Sequence, residues 1–400
     1  MNYLCIVPIL SVVTLAISSS PCPTATADEP FLEQQDLFVS GDGQPPFDNF
    51  NNYYTYHVPA MIVSAKGTVL VFCEGRKTST GDSGDLDLLL RRSFDGGKTF
   101  APIQLVHEEG GAEKITIGNP CPVVDAEGTI HLLFCRNTSR VYHRKSTDDG
   151  ETFSEPIEIT QVFYDYRDQF PWTRAVPGPG HGLLTRNGRL VMPMWINDRS
   201  GHNYRSVVIY SDDNGATWMP GGIVPPDDQL TSPYNNDLCE CSIVEAADGS
   251  LLLNMRVSNH RRNKVRRRAV AASHDGGLSW SQPTLNQDLV SPVCHAVWCR
   301  YSFPEGDQPS QILFSNPATT NHRVRMTVKL SYDEGKTWPV ARELNAGASS
   351  YSDLAMADDK TILCIYHNSE NRRTAHPAKL TLARFNLEWL TGGNEDNAAP

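Results

Sequence analysis

The most restrictive feature of this chain is an eight-residue motif, Ser-x-Asp-x-Gly-x-Thr/Ser-Trp/Phe, which occurs five times. The copies begin at Ser93, Ser146, Ser211, Ser273 and Ser331, at intervals of 53, 65, 62 and 58 residues. Each follows a run rich in apolar or β-branched residues, which is typical of a strand ending in a tight turn. The Asp can accept hydrogen bonds from its own turn, and the Gly supplies backbone freedom. This spacing indicates one β unit repeated along the chain.

A second pattern, a turn followed by an apolar strand, interlocks with the first. It occurs at residues 66–76, 127–137, 187–197, 248–256, 310–316 and 359–368. Another short strand precedes each turn, so the repeated unit contains four strands. Six units of roughly 60 residues predict an all-β fold, a six-bladed β-propeller with these Asp-box turns, because a closed ring leaves only short protected edges.

The ends of the chain differ in composition from the repeated part. Residues 4–18 form an apolar run that is too short for a comfortable membrane span, and the polar stretch after it ends near Ala27. This pattern predicts a signal peptide over 1–27 and hence a secreted or periplasmic protein, with no stable membrane insertion. We expect an N-terminal lead-in over 28–52, the propeller over 53–392 and a disordered tail over 393–400.

Charge and cysteine content narrow the function classes. The net charge of −11 argues against a general nucleic-acid binder. The basic run HRRNKVRRR, residues 260–268, is interpreted as a solvated strand edge, with binding of an anionic polymer as the alternative. The cysteines at positions 73, 135 and 364 lie in apolar strands and are expected to be buried thiols. Those at positions 239, 241, 294 and 299 are candidates for disulfides of unknown pairing. The oligomeric state is not indicated.

Antiparallel geometry brings several reactive side chains to one rim of the predicted ring. The start of each first strand, the end of each second strand and the start of each third strand lie at the same rim. Eight candidate residues occupy such positions: His57, Arg76, Asp82, Glu240, Arg256, Arg323, Tyr351 and His367. The innermost strands converge there, so this face is predicted to carry a pocket.

These residues and motifs resemble the sialidase (neuraminidase) family of retaining exo-glycosidases. The resemblance covers residues 50–392 and rests on the five turns and on the segments FCEGR, DSGDLDLLLRRS, PGPGHG, ECSIVEAADGSLLLNMR and YSDLAM. It implies release of a terminal sialic acid or related acidic sugar from glycoconjugates.

The resemblance also implies a role for each candidate. Tyr351 would be the nucleophile, Glu240 the base that activates it, and Asp82 the acid/base. Arg256 and Arg323 would hold the substrate carboxylate, since guanidinium groups suit a planar carboxylate. An arginine at position 76 would line the pocket near the far side of the sugar. The scheme requires no metal and no organic cofactor.

One subsite departs from the family pattern. The family has Arg-Ile-Pro where this chain has His-Val-Pro at 57–59, and His367 replaces the Glu that steadies that arginine. Replacing only one of these partners would leave the other charge without a counter-ion, so the joint replacement indicates a rebuilt subsite.

Several interpretations of this subsite stay open. The pocket can grip a carboxylate with Arg256, Arg323 and a protonated or hydrogen-bonding His57. The substrate can instead be a different acidic or neutral sugar. His57 and His367 can also be an acid/base pair of an unusual hydrolase or a lyase acting on a uronic-acid-containing glycan. A non-catalytic carbohydrate-binding propeller is the alternative from another functional class. His181, in PGPGHG, is expected to shape the pocket rim.

Overall fold

A computed structural model describes residues 1, 29–41, 43–44, 52–110, 113–198, 200, 203–226, 237–258, 265–306, 308–369 and 378–392. Apart from Met1, the predicted leader and the predicted tail lie outside the described residues, and export remains a prediction. Among the described helices, none has both the length and the apolar character needed to cross a membrane.

The first strand of the chain joins its last sheet, and the next strands form two sheets in chain order. The first strand is β1 (Leu32–Val39). The first sheet contains β2 (Thr55–Val63), β3 (Val69–Arg76), β4 (Leu86–Ser93) and β5 (Gln104–His107). The second sheet contains β6 (Ile117–Val124), β7 (Ile130–Arg136), β8 (Arg140–Ser146) and β9 (Ile157–Glu158).

A 3₁₀ helix over Thr160–Asp168 leads into two further sheets. The third sheet contains β10 (Arg174–Pro177), β11 (Leu183–Leu184), β12 (Leu190–Asn197), β13 (Tyr204–Ser211) and β14 (Met219–Ile223). Both short strands, β10 and β11, pair with β12. The fourth sheet contains β15 (Leu238–Glu245), β16 (Leu251–Val257), β17 (Arg267–Ser273) and β18 (Thr284–Val290).

The last sheet is larger than the others. It has seven strands in the order β1-β24-β23-β22-β21-β20-β19. Besides β1, its strands are β19 (Val297–Ser302), β20 (Gln311–Pro317), β21 (Val324–Ser331), β22 (Val340–Met356), β23 (Ile362–Ser369) and β24 (Ala378–Phe385). The C-terminal helix α1 (Leu387–Thr391) follows β24. Strand β22 is 17 residues long and pairs with β21 through its first part and with β23 through its last part. The structure thus has five sheets where the sequence predicts six units, because β22 is continuous.

The repeated turns adopt the predicted hydrogen bonding. In the first copy, Ser93 Oγ donates to Asp95 Oδ1 at 2.7 Å, Gly97 N donates to Ser93 Oγ at 2.9 Å, and Thr99 Oγ1 donates to Asp95 Oδ2 at 2.6 Å. The other four copies repeat this set of bonds. The prediction of a structural turn is confirmed.

Buried apolar side chains fill the spaces between neighbouring sheets. Five clusters join successive sheets around the molecule. One pair from each cluster, in order around the ring, is Phe72 with Leu132, Leu133 with Met192, Val191 with Leu253, Val244 with Phe314, and Val71 with Leu363. The last cluster joins the first sheet to the seven-stranded one, so the sheets close into a ring. The all-β, propeller-like prediction is confirmed. Burial of these side chains on both faces explains why the second strands are continuous apolar runs.

Candidate active site

Irregular backbone marks one rim of the ring in every sheet. Five residues at this rim have left-handed backbone, namely Val58 (φ 51°), Asn119 (φ 55°), Gly178 (φ 53°), Glu240 (φ 37°) and Val293 (φ 61°). In β22 the corresponding irregularity is a register shift between Ser349 and Ser352. Bulges of this kind redirect side chains, and left-handed non-glycine residues are strained, so their clustering indicates a functional rim.

A phenol, a carboxylate and a guanidinium meet at this rim. The Tyr351 hydroxyl donates a hydrogen bond to Glu240 Oε1, although the two residues are 111 positions apart. Arg256 Nη1 donates to Glu240 Oε2 at 2.6 Å and to the Tyr351 hydroxyl at 3.1 Å. The Tyr351 oxygen therefore has an acceptor for its proton and a cation beside it.

The electrostatics of this triangle give each group a definite protonation state. Burial and the neighbouring Glu240 carboxylate raise the pKa of Tyr351 well above its usual value, against the opposing effect of Arg256. Burial acts to raise the pKa of Glu240, but Arg256, His295 and two side-chain hydrogen bonds outweigh it, and the net pKa is lowered. Near neutral pH the pair is thus a neutral phenol hydrogen-bonded to a carboxylate base.

Arg323 lies beside the Tyr351 ring. Its Cζ is 5.5 Å from the centroid of the Tyr351 ring, and its Nη2 donates to the Val293 carbonyl at 2.9 Å. Its Nη1 donates to Ser350 Oγ at 3.3 Å. In the described part of the chain, no carboxylate lies within 4.0 Å of this exposed guanidinium. Its charge is therefore available to an anionic ligand.

Asp82 is held at the rim by a buried arginine. The Asp82 side chain is 97% exposed, and its Oδ1 lies 2.9 Å from Arg76 Nη1. Arg76 Nη2 lies 2.7 Å from Glu74 Oε2, and Glu74 Oε1 accepts a hydrogen bond from Asn119 N at 2.9 Å. Arg76 thus binds two carboxylates. It anchors one oxygen of Asp82 and leaves that side chain open to solvent. Sequence reasoning missed Glu74, although its place in FCEGR puts it inside a fully buried strand.

The two histidines of the rebuilt subsite touch each other. The ring centroids of His57 and His367 are 4.4 Å apart, with planes inclined by 32°. Burial, together with Arg323 and Arg76, lowers the pKa of His367 to about 3. Burial, His367 and the same two arginines also lower the pKa of His57 well below its usual range. Both rings are neutral near neutral pH, which disfavours a protonated His57 and favours a hydrogen-bonding one.

Two further histidines contact residues of β22. His181 Nδ1 is 2.7 Å from Oδ1 of the fully buried Asp353, which raises the pKa of His181 even though burial opposes it. Asp353 Oδ2 also accepts a hydrogen bond from Met61 N at 2.8 Å. His295 is fully buried, with its ring centroid 5.6 Å from that of Tyr351. His181 thus pairs with an internal carboxylate as well as lying near the rim. Its PGPGHG segment signalled it, whereas no motif pointed to His295.

Neither a disulfide nor a metal site is found among the described residues. All eight cysteines in the described residues are buried and unbridged, so the disulfides considered at positions 239, 241, 294 and 299 are absent. Among the described residues, no group of three or more His, Cys, Asp or Glu side chains has the arrangement of a metal site.

Comparison with known proteins places this chain in a family. The model of the BNR repeat-like domain matches residues 67–365. The chain is 32% identical over 405 residues to a sialidase of Micromonospora viridifaciens and 29% identical over 362 residues to a sialidase of Bacteroides fragilis. These matches cover 94% and 82% of this chain but only 57% and 63% of the two relatives.

A solved structure supports the same assignment. The fold matches that of the Hadza microbial sialidase Hz136 with a TM-score of 0.72 and 27% identity. The match covers 84% of this chain and 66% of that one. With the family model matching most of the chain, this protein belongs to the sialidase family of BNR-repeat proteins.

Proposed function

We propose that this chain is a retaining exo-glycosidase that releases a terminal sialic acid or related acidic sugar from glycoconjugates, with Tyr351 as its nucleophile. The observation that carries the proposal is the contact of the Tyr351 hydroxyl with the Glu240 carboxylate, beside Arg256. Similarity to the two bacterial sialidases supports the reaction class.

A tyrosine nucleophile suits a sugar that carries a carboxylate on its anomeric carbon. A carboxylate nucleophile would meet like-charge repulsion there, whereas a neutral phenol avoids it. In the first step the Tyr351 oxygen bonds to the anomeric carbon while Glu240 takes the phenol proton. The bond to the leaving oxygen breaks, and Asp82 protonates that oxygen.

The second step reverses these proton transfers. Asp82 takes a proton from water, whose oxygen bonds to the anomeric carbon and displaces the Tyr351 oxygen. Glu240 then returns the proton to the phenol. Two inversions at one carbon give net retention of configuration.

Two guanidiniums are assigned to the substrate carboxylate. Arg323 has no carboxylate partner among the described residues, and Arg256 uses only Nη1 in its described hydrogen bonds to side chains. His57 and His367 add neutral hydrogen-bonding capacity where the family has a third arginine. Arg76 is assigned to the pocket wall, with Asp82 as its exposed partner.

We also propose that the ring has six blades, two of which share β22. Apolar residues from both parts of the seven-stranded sheet, among them Leu313 of β20 and Cys364 of β23, belong to one buried cluster. Such contact is expected when a sheet folds across a shared strand so that its two parts face each other. The six rim irregularities, one in each proposed blade, support the same count.

The proposed activity is tested by identifying the sugar that the wild-type protein releases from mixed glycans. We expect a free acidic monosaccharide, formed first as the anomer of the substrate and detected by NMR. Binding to glycans without release would support a carbohydrate-binding propeller instead. An unsaturated product that absorbs in the ultraviolet would identify a lyase.

A double substitution tests the rebuilt subsite. We expect His57→Arg with His367→Glu to raise kcat/KM on an ordinary α-sialoside about tenfold or more, because one added charge-assisted hydrogen bond contributes about 1.5–3 kcal/mol. The new Glu would neutralise the new Arg. The single His57→Arg control should lower the melting temperature, since it adds a third guanidinium near Arg76 and Arg323. A folded double variant without any gain would mean that the native substrate is not a common sialic acid.

A further inference from the structure

One arginine of the basic run is buried and has no role in the reaction described above. Arg268, in β17, is 0% exposed and is among the largest fully buried side chains of the described chain. The sequence interpretation of residues 260–268 as a solvated edge is wrong for this residue. Its neighbour Arg267 is partly exposed, because successive side chains of a strand point to opposite faces.

Arg268 bonds to neutral groups only. Its Nε donates to Asn254 Oδ1 at 2.7 Å, its Nη1 to the Cys294 carbonyl at 2.7 Å, and its Nη2 to the Glu240 carbonyl at 3.3 Å. In the described chain, no carboxylate lies within 4.0 Å of this guanidinium. Burying a cation without a counter-ion lowers the stability of the folded state, so the buried charge of Arg268 is unfavourable for folding.

Burial is also the largest influence on the protonation of this group. It lowers the pKa of Arg268 to about 10, with the Glu240 charge acting in the opposite direction. The guanidinium is therefore still protonated at neutral pH, and its charge interacts with the Glu240 carboxylate.

The two carbonyls that Arg268 holds belong to the irregular backbone of the rim. Glu240 has φ 37° and provides the base, and its carboxylate is bound by Arg256, which lies opposite Arg268 on the neighbouring strand β16. Cys294 follows Val293, whose φ is 61° and whose carbonyl accepts a hydrogen bond from Arg323. One side chain thus connects the segment that presents the base with the segment that supports the anion-binding arginine.

We propose that Arg268 is a positioning residue for the proposed glycosidase reaction. It holds the Glu240 bulge and the 293–295 segment together, and it places a buried positive charge beside the Glu240 backbone. This inference rests on the proposed function only for its effect on turnover, since its effect on Glu240 can be measured without a substrate.

Several charged or titratable groups lie close enough to Glu240 to interact with it electrostatically. They are Arg256 on β16, Arg268 on β17, His295 before β19, Arg323 before β21, Tyr351 on β22 and Cys239 on its own strand. Among the cations of this set, Arg268 is the one that contacts the backbone carbonyl of Glu240.

The test compares Arg268→Met with Arg267→Met, a control one position along the same strand whose side chain binds the Gln287 carbonyl. We expect Arg268→Met to lower kcat/KM about 100-fold, because small misplacements of catalytic groups have effects of this size. Loss of the nearby cation should raise the pKa of Glu240 and move the acid limb of the pH profile to higher pH. The Glu240 carboxyl resonance, assigned by comparison with Glu240→Gln, should shift its titration in the same direction. Arg267→Met should match the wild type in all three measurements.

A second variant separates charge from geometry. Arg268→Lys keeps the charge but lacks the planar fork, so we expect a wild-type acid limb and a reduced kcat/KM. If Arg268→Met fails to fold, Arg268→Lys still tests the positioning role through kcat/KM. An unshifted Glu240 titration in folded Arg268→Met, or wild-type kcat/KM in both variants, would overturn the positioning role. If the wild-type protein releases no sugar, the proposed function fails, and the Glu240 titration alone decides this inference.

Discussion

Replacing Tyr351 with Phe is expected to lower kcat on a fluorogenic α-sialoside by roughly 10⁴-fold or more, as the loss of other covalent nucleophiles does. The substitution removes one oxygen, the atom that donates to Glu240 and would bond to the anomeric carbon. The ring that packs against Arg323 and His295 remains, so the substrate should still bind. Initial rates and equilibrium binding of the same sialoside provide the measurement.

Tyr142→Phe is a matched control for this experiment. The Tyr142 hydroxyl contacts Glu158 at 3.3 Å within the second sheet. This variant should retain wild-type kcat. Unchanged turnover in Tyr351→Phe would refute the nucleophile assignment, and the Glu240 carboxylate would then need another partner.

Replacing Asp82 with Asn should produce the second large effect, one that depends on the leaving group. On natural glycosides, whose leaving oxygen needs a proton, we expect kcat/KM to fall about 10²- to 10⁴-fold. On an aryl glycoside with an acidic leaving group, the loss in the first step should be much smaller. The amide can still accept a hydrogen bond from Arg76, so the loop should keep its position. Parallel kinetics on the two substrate types measure the difference.

Asp85→Asn is the control from the same acidic loop. Its carboxylate lies 3.0 Å from Lys77 Nζ and belongs to an ion-pair group beside the site. This substitution should affect stability more than leaving-group dependence. Equal losses on both substrates for Asp82→Asn would indicate that Asp82 only orients Arg76 and that another group supplies the proton.

The repeated part of the fold was predictable because its signals are local. Each Asp-box turn satisfies its own backbone through Ser, Asp and Thr side chains within a few residues, as in the copy at Ser93. The apolar second strands were equally predictable, since burial of both faces makes them continuous apolar runs in the sequence. Strand β1 was missed because its burial pattern is mostly exposed and its partner, β24, lies near the other end of the chain.

The rim residues were predictable as candidates but not as a working arrangement. The positions of Tyr351 and Glu240 at strand starts placed them on one face, and resemblance to a family suggested their roles. The neutral state of His57 and His367 was beyond sequence reasoning, because it depends on the burial of two rings in contact and on Arg76 and Arg323 beside them.

The sequence by itself determined the repeated β unit, its turns and the set of polar residues near one rim, because these follow from short-range periodicity and turn chemistry. Only the tertiary structure decided which of those residues touch. Tyr351 and Glu240 meet across 111 positions through closure of the ring and the irregular backbone at its rim. Burial and the neighbouring charges then set their protonation states. Burial also turned Arg268 from an expected surface charge into an internal one, because solvation depends on what surrounds a residue in space.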